Sequence, residues 1–503
     1  MSPASWLQRS VNRPLEEKNK PNVPSAQSIR TQTAPDSIAK SKSADVHSGA
    51  ARGTAPAGRT TKERLAATLR QTGEALSPRE LRRLLDELRG IVDTQVSEIE
   101  GGRRGKAVAL WYAQAAAPER LDLWLLMSEQ FLADAQKAGA AQAQFAAAIG
   151  TPDEAAAEVR LRRATVSPRR RLLQRFSAFP EGIRFLVDLR AHMLPHLKAD
   201  KRLHALDVEM EYMFSTWFDV GFLELRRISW DSPASMIEKL IKYEAVHDIK
   251  SWADVKNRLD SDRRCYGFFH PRLLDEPLIF VEVALGDAMS GCITPLLDES
   301  ADAADLSRAT TAVFYSISNT QPGLRGVSFG DSLIKRVVET LKQEFPRLRV
   351  FATLSPIPGF RSWLSKNASA LLDRLSVKER AALSRALGVP SPDATQLLAA
   401  SEDAATLPEN APLSHWLLQC AAHYLGQGLD DSKPLDAVAR FHLGNGARVE
   451  RLNWLGDPSP KGIRQSYGVM VNYLYDLKRL DKHRSLLARG KIPVSGSVED
   501  LYI

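Results

Sequence analysis

Cysteine is scarce in this 503-residue chain: only Cys265, Cys292 and Cys420 occur. They share no metal-ligand spacing, and their odd number argues against a disulfide framework, so a reducing compartment is expected. No His/Cys/Asp cluster suits a metal, and none is expected. Long apolar runs are missing as well. No stretch approaches the roughly 18 consecutive apolar residues that a membrane-spanning helix requires, so no membrane partner is expected. The first residues lack the continuous apolar core of a secretory signal. Aromatics make up only 7% of the chain, and none interleave with the basic clusters Arg160/Arg162/Arg163 and Arg169/Arg170/Arg171. Without stacking residues, a helix-turn-helix or a zinc pattern, these clusters fit solvated helix faces or salt bridges better than nucleic acid. The formal charge of +8 says little about a partner. Residues 1–60 hold nine Lys/Arg against four acids, leaving only +3 for the rest.

What is present is a soluble-protein composition, 44% apolar and 25% charged, long enough for two or three domains. Residues 1–60 mix Pro, Ser, Ala, Gly and Lys without apolar periodicity and read as a disordered leader. Helical patterns begin near Thr61. In Leu76-Ser-Pro-Arg-Glu-Leu81, Ser77 is an N-cap, Pro78 takes the first helical position and Glu80 closes a capping box. Leu81, Leu84, Leu85 and Leu88 follow at helical spacing, and Gly90 is the expected stop. A further helix is expected over Gly182–Leu197, and 61–197 reads as an all-α bundle. The texture then changes to apolar strand-like runs at Leu278–Leu285, Ala312–Ser318, Val350–Leu354, Ala447–Trp454 and Gly468–Tyr475. Between about 364 and 436 the chain is helical again, with a capping box at Ser376/Glu379 and a Gly388 stop, as an insertion or lid would be. Residues 491–503 read as a tail. The expected class is α+β, an N-terminal helical bundle followed by a second domain over 198–490.

Phe314–Trp363 concentrates the chemical signals. The loop Gln321-Pro-Gly-Leu-Arg-Gly-Val-Ser-Phe-Gly330 carries three glycines and opens into an amphipathic helix, Asp331–Phe345. Backbone amides at such a helix start can hold a phosphorylated ligand, as in the pyrophosphate loop of acetyltransferase-type folds; a bland strand-to-helix turn is the competing reading. Val350–Leu354 reads as a buried strand that stops at Ser355-Pro-Ile-Pro-Gly-Phe360. Strand carboxyl ends are where α/β folds place reactive groups. A hydroxyl fixed there can meet a bound carbonyl or carboxylate, or can simply bond its own turn. His442, followed by Leu-Gly-Asn-Gly-Ala447, can move a proton near neutral pH or can be a core histidine satisfied by backbone. Tyr473 and Tyr475 read as packing residues unless a partner lies close.

Several longer motifs occur in a fixed order: Phe314-Tyr-Ser-Ile-Ser-Asn-Thr-Gln321, Gly323-Leu-Arg-Gly-Val327, Leu333-Ile-Lys-Arg-Val337, Leu354-Ser-Pro-Ile-Pro-Gly-Phe360 and Ala439-Arg-Phe-His-Leu-Gly-Asn-Gly-Ala447. Together with Tyr243-Glu-Ala-Val-His247 and Arg263-Arg-Cys-Tyr266 they resemble the malonyl-CoA decarboxylase family over about residues 65–480. The resemblance implies an N-terminal helical domain used in self-association, as a homotetramer or dimer, and a C-terminal acetyltransferase-like (GNAT) domain. It implies Ser355 and His442 as catalytic residues with Tyr475 beside them. It also implies a coenzyme-binding loop of Arg325, Gly326, Val327, Ser328, Phe329, Gly330 and Asp331. Where the animal enzymes carry a glutamate in that loop, this chain has Ser328. No Ser-Lys-Leu type address closes the sequence, and a bacterial-type cytoplasmic enzyme fits better than a mitochondrial one.

The implied reaction, malonyl-CoA to acetyl-CoA and CO₂, needs no cofactor, because the thioester carbonyl delocalises the charge of the enolate left behind. The competing readings are a CoA-dependent acyltransferase and a non-catalytic sensor that binds malonyl-CoA.

Overall fold

The computed structural model describes residues 58–273, 275–327 and 333–502. The leader expected over 1–60 lies outside the described residues except for its last positions, and so do Ser328, Phe329, Gly330 and Asp331. Among the described residues, no helix is long and apolar enough to cross a membrane. The chain is mixed helix and sheet, with a helical N-terminal region. It divides into two compact units: one runs to Leu186 and takes in Pro195–Glu209, the other comprises Val187–Leu194 and everything from Met210.

The first unit is helical, including Pro78–Val92, Glu98–Gln114, Ala117–Glu129 and Pro168–Phe176. The Ser77/Glu80 capping box forms, and Leu81, Leu84, Leu85 and Leu88 are buried. Gly90 does not end this helix, which continues to Val92. Ile91 is fully buried, and that burial outweighs the roughly 1 kcal/mol helix penalty of glycine. One member of the first basic cluster and two of the second close on partners inside the unit. Arg162 pairs with Glu158, and Arg170 Nε lies 2.7 Å from Glu209 Oε1. Arg169 is buried and donates to the carbonyls of Met127, Ser128 and Ala205.

The helix expected over Gly182–Leu197 ends at Met193, with a 3₁₀ turn at Leu194–His196. Pro195 has no N–H to continue the ladder. Its second half belongs with the second unit for a visible reason: Arg190, 1% exposed, donates to Gly323 O at 2.9 Å and Arg325 O at 2.8 Å. A Cβ on Gly323 would sit 1.9 Å from Val187 O, so only glycine allows this approach.

The second unit is built on strands β1 (Glu224–Ile228), β2 (Arg263–Phe269), β3 (Pro277–Gly286), β4 (Thr311–Asn319), β5 (Val350–Thr353), β6 (Ser355–Pro356), β9 (Arg448–Asn453) and β10 (Met470–Leu474); Leu429–Asp430 (β7) and Lys433–Pro434 (β8) pair separately. The sheet order is β1-β2-β3-β4-β5-β10-β6, with β9 on the other edge of β10. Every pair is antiparallel except β4 and β5. β1 carries Arg226 and Arg227 in its middle and β2 begins with Arg263 and Arg264, so neither reads as a strand in the sequence, yet every β2 residue is buried. Between β6 and β7 run helices Phe360–Leu372, Val377–Leu387, Ala394–Ala400 and Pro412–Gln427. The Ser376/Glu379 box and the left-handed Gly388 stop (φ +68°) both form. Residues beyond 490 are tied to β9: Val494 bridges Val449, and Ser495 Oγ donates to Glu450 O at 2.6 Å.

One buried ionic cluster fastens helix Trp252–Arg258 to the sheet. Arg258, with no exposed surface, donates to Asp254 Oδ1 at 2.7 Å, Glu282 Oε2 at 2.9 Å and His247 O at 2.9 Å. Glu244 beside it accepts from the hydroxyls of Ser316 and Ser318 on β4.

Candidate active site

β4 and β5 pair only between Thr311–Phe314 and Val350–Thr353, and the last bond is Leu354 N to Phe314 O at 2.9 Å. Past that point β4 continues to Asn319 along β3, while the other chain leaves it. Leu354 marks the break, and β6 then pairs with β10, Ser355 opposite Val471 and Pro356 opposite Met470. Pro356 is tolerated because β6 is an edge strand. Ser355 thus sits where a parallel pair opens, at a strand carboxyl end.

His442 arrives on the helix Ala437–Gly444. Asp436 caps that helix, accepting from Val438 N at 2.9 Å and Ala439 N at 3.0 Å. Gly446, at φ +87°, turns the chain back into β9; a Cβ there would meet Leu480 O at 2.8 Å. The imidazole is 3% exposed and lies against the ring of Tyr473, centroids 4.7 Å apart. Its Nε2 is 3.3 Å from Ser355 Oγ, and its Nδ1 is 2.8 Å from the Tyr475 hydroxyl. Ser355 Oγ also donates to Thr353 Oγ1 at 2.9 Å. The structure therefore brings Ser355, His442 and Tyr475 into one hydrogen-bonded chain. Burial pushes the His442 pKa down to about 3 and that of the Tyr475 phenol up. Both groups are neutral at neutral pH, because an ion here would lose its hydration without gaining a counter-charge.

Arg325, Gly326 and Val327 line a cavity of about 530 Å³, a size suited to small molecules. Phe441 and Asn445 line it too, so the helix that carries His442 also borders the cavity. Gly326 has φ +83° and Arg190 fixes the carbonyls before it, which gives this part of the loop a defined backbone path. The remaining loop residues proposed from the sequence, Ser328, Phe329, Gly330 and Asp331, lie outside the described residues.

Three contributors escape sequence reasoning. Thr353 stands two residues before Ser355, and period-two spacing on a strand was the available signal. Asn472 is fully buried; it donates to Thr353 O at 2.6 Å and to Ser290 O at 3.0 Å. Its Oδ1 accepts from Arg451 and Asn453. Arg190 lies more than a hundred residues before the loop it holds, and nothing local marks it.

Residues 221–502 match the model of the malonyl-CoA decarboxylase C-terminal domain, and residues 131–218 that of the N-terminal domain. The mitochondrial malonyl-CoA decarboxylase of Anser anser anser is 39% identical over 327 residues, covering 62% of this chain and 65% of the goose protein. That of Rattus norvegicus is 39% identical over 338 residues, 64% of this chain and 68% of the rat protein. Among solved structures, malonyl-CoA decarboxylase from Rhodopseudomonas palustris superposes with a TM-score of 0.71 at 41% identity, covering 84% of this chain and 99% of that one. The Agrobacterium vitis structure gives 0.72 at 39%, covering 83% and 99%. With one family model matching more than half of its length, this chain belongs to the malonyl-CoA decarboxylase family.

Proposed function

We propose that this protein decarboxylates malonyl-CoA to acetyl-CoA and CO₂, with Ser355, His442 and Tyr475 as the reacting constellation. The carrying observation is the Tyr475–His442–Ser355 hydrogen-bonded chain, whose central residue rides on a helix that also lends Phe441 to the wall of the loop cavity. The open parallel pair β4/β5 within an otherwise antiparallel sheet supports an acetyltransferase-like fold for the second unit. In this reading loop amides around 325–331 take the coenzyme diphosphate, and remote binding energy holds the malonyl end at Ser355. The helical unit serves self-association, and the setting is cytosolic.

The carboxylate's C–C bond breaks with its electron pair moving toward the thioester carbonyl, releasing CO₂ and an enolate. Ser355 exchanges its bond to Thr353 for one to the malonyl group, where a preorganised donor stabilises developing charge by several kcal/mol. His442 delivers a proton from Nε2 to the enolate carbon, and Tyr475 supplies Nδ1 with a hydrogen bond as charge reaches the ring. A thioester enolate is a far stronger base than an imidazolate, so a neutral imidazole is acid enough. One proton from water restores the site, and one malonyl-CoA carboxylate plus one proton gives acetyl-CoA and CO₂.

Purified protein incubated with malonyl-CoA alone tests the reading. CO₂ and acetyl-CoA should appear without an amine acceptor; an absolute need for an amine means acyl transfer, and binding without turnover means a sensor. Ser355→Ala and His442→Ala should each lower turnover by at least about 10² with the fold retained. Near-normal turnover in either variant removes that residue from the mechanism.

A further inference from the structure

We propose that Thr353 is a positioning residue for this reaction: its Oγ1 accepts the Ser355 hydroxyl proton and thereby keeps His442 in the tautomer that carries hydrogen on Nε2. The inference rests on the assignment of Ser355 and His442 above and concerns how their protons are arranged before substrate arrives.

Thr353 is fully buried and anchored twice. Its carbonyl accepts from Asn472 Nδ2 at 2.6 Å, and its Oγ1 accepts from the Tyr473 amide at 3.1 Å. The remaining acceptor site of Oγ1 faces Ser355 Oγ at 2.9 Å, in a geometry that makes Ser355 the donor. A serine hydroxyl has one proton. Given to Thr353, it is not available to His442, so the 3.3 Å contact between Ser355 Oγ and Nε2 must carry a hydrogen on the nitrogen. Nδ1 is then the acceptor at 2.8 Å from the Tyr475 oxygen, and that phenol donates. The chain has a direction: Tyr475 to His442 to Ser355 to Thr353.

Removing the Thr353 oxygen reverses it. The Ser355 proton turns to Nε2, the imidazole takes its hydrogen on Nδ1, and the nitrogen facing the site has none to give an enolate carbon. In serine hydrolases, losing the group that fixes the imidazole tautomer costs orders of magnitude in turnover. Substrate binding does not undo the arrangement, since a Ser355 proton shifted from Thr353 to a malonyl oxygen still leaves Nε2 protonated.

The test uses the full chain labelled with ¹⁵N-histidine, whose neutral tautomers differ in nitrogen shift; the His442 signals are assigned by their loss in His442→Gln. Wild-type protein should show hydrogen on Nε2. Thr353→Val, close in shape but without the acceptor, should move the population toward Nδ1 and lower kcat roughly 10- to 100-fold with KM little changed. Thr353→Ser should restore both. A wild-type tautomer with hydrogen on Nδ1, or a folded Thr353→Val with undiminished kcat, overturns the proposal. Should Thr353→Val not fold, the wild-type tautomer and Thr353→Ser decide. If Ser355→Ala and His442→Ala abolish turnover while Thr353→Val does not, only the positioning role fails; if neither abolishes it, the assignment of the site itself fails.

Discussion

Two buried polar clusters in the sheet unit obey the same rule by opposite means. Around Arg258 the burial is ionic: a guanidinium without exposed surface is held between Asp254 and Glu282. Burial still drives the Glu282 carboxyl up, to about 7, with Glu244 adding like charge, against the pull of the Arg258 guanidinium. Around His442 the burial is neutral: hydroxyls, a phenol and an uncharged imidazole pass hydrogen bonds along a line. The ionic cluster fastens a helix to strands, and truncating it strands a charge. The neutral cluster can change partners at modest electrostatic cost, which a site that must hand over a proton requires.

The largest effect expected from this contrast is on the ionic side. Arg258→Ala leaves Glu282 and Asp254 buried without their counter-charge and should lower unfolding stability by about 3–5 kcal/mol, read by urea denaturation. A loss under about 1 kcal/mol would mean that the carboxyls are already protonated and the cluster is not ionic. Next comes acid sensitivity. The folded His442 pKa, about 3, lies below its ordinary 6.5. Between those values the unfolded chain binds more protons, so stability rises with pH and is lost as pH falls from 6.5 toward 3. His247, lowered by burial to about 4, acts in the same sense. His442→Gln should therefore show a smaller drop in Tm between pH 7 and pH 5 than wild type does. An unchanged drop would argue that the imidazole is not buried neutral. The smallest effect belongs to Tyr473, whose buried hydroxyl has no hydrogen-bond partner among the described residues. Tyr473→Phe should change stability by less than about 1 kcal/mol, with any shift toward a higher Tm.

These clusters also mark how far sequence reasoning reached. Local codes were legible: the Ser77/Glu80 and Ser376/Glu379 boxes, the Gly388 stop, and the apolar runs of β3, β4, β5 and β10. Ser355 announced itself by the prolines around it, and His442 by the small residues behind it. Their meeting at 3.3 Å depends on a sheet order in which β10 lies between β5 and β9, and no local pattern encodes it. β1 and β2 escaped because their arginines mask the apolar alternation. Two of those charges are absorbed by a partner far along the chain, Arg227 and Arg264 both reaching Glu344, the latter at 2.6 Å. Arg190 and Asn472 were invisible for the same reason, since each acts on backbone carbonyls more than a hundred residues away.

The pairing of Ser355 with Val471 carries a consequence for engineering. Side chains alternate along a strand, so sliding β10 by a single position would offer Leu474 or Asp476 to the imidazole in place of the Tyr475 phenol. Tyr467 and Gly468, both at positive φ, launch β10 and set that count. Substitutions in this stretch can be graded, but adding or deleting one residue there is all-or-nothing: the protein can keep its sheet and lose the phenol that holds the far side of the imidazole.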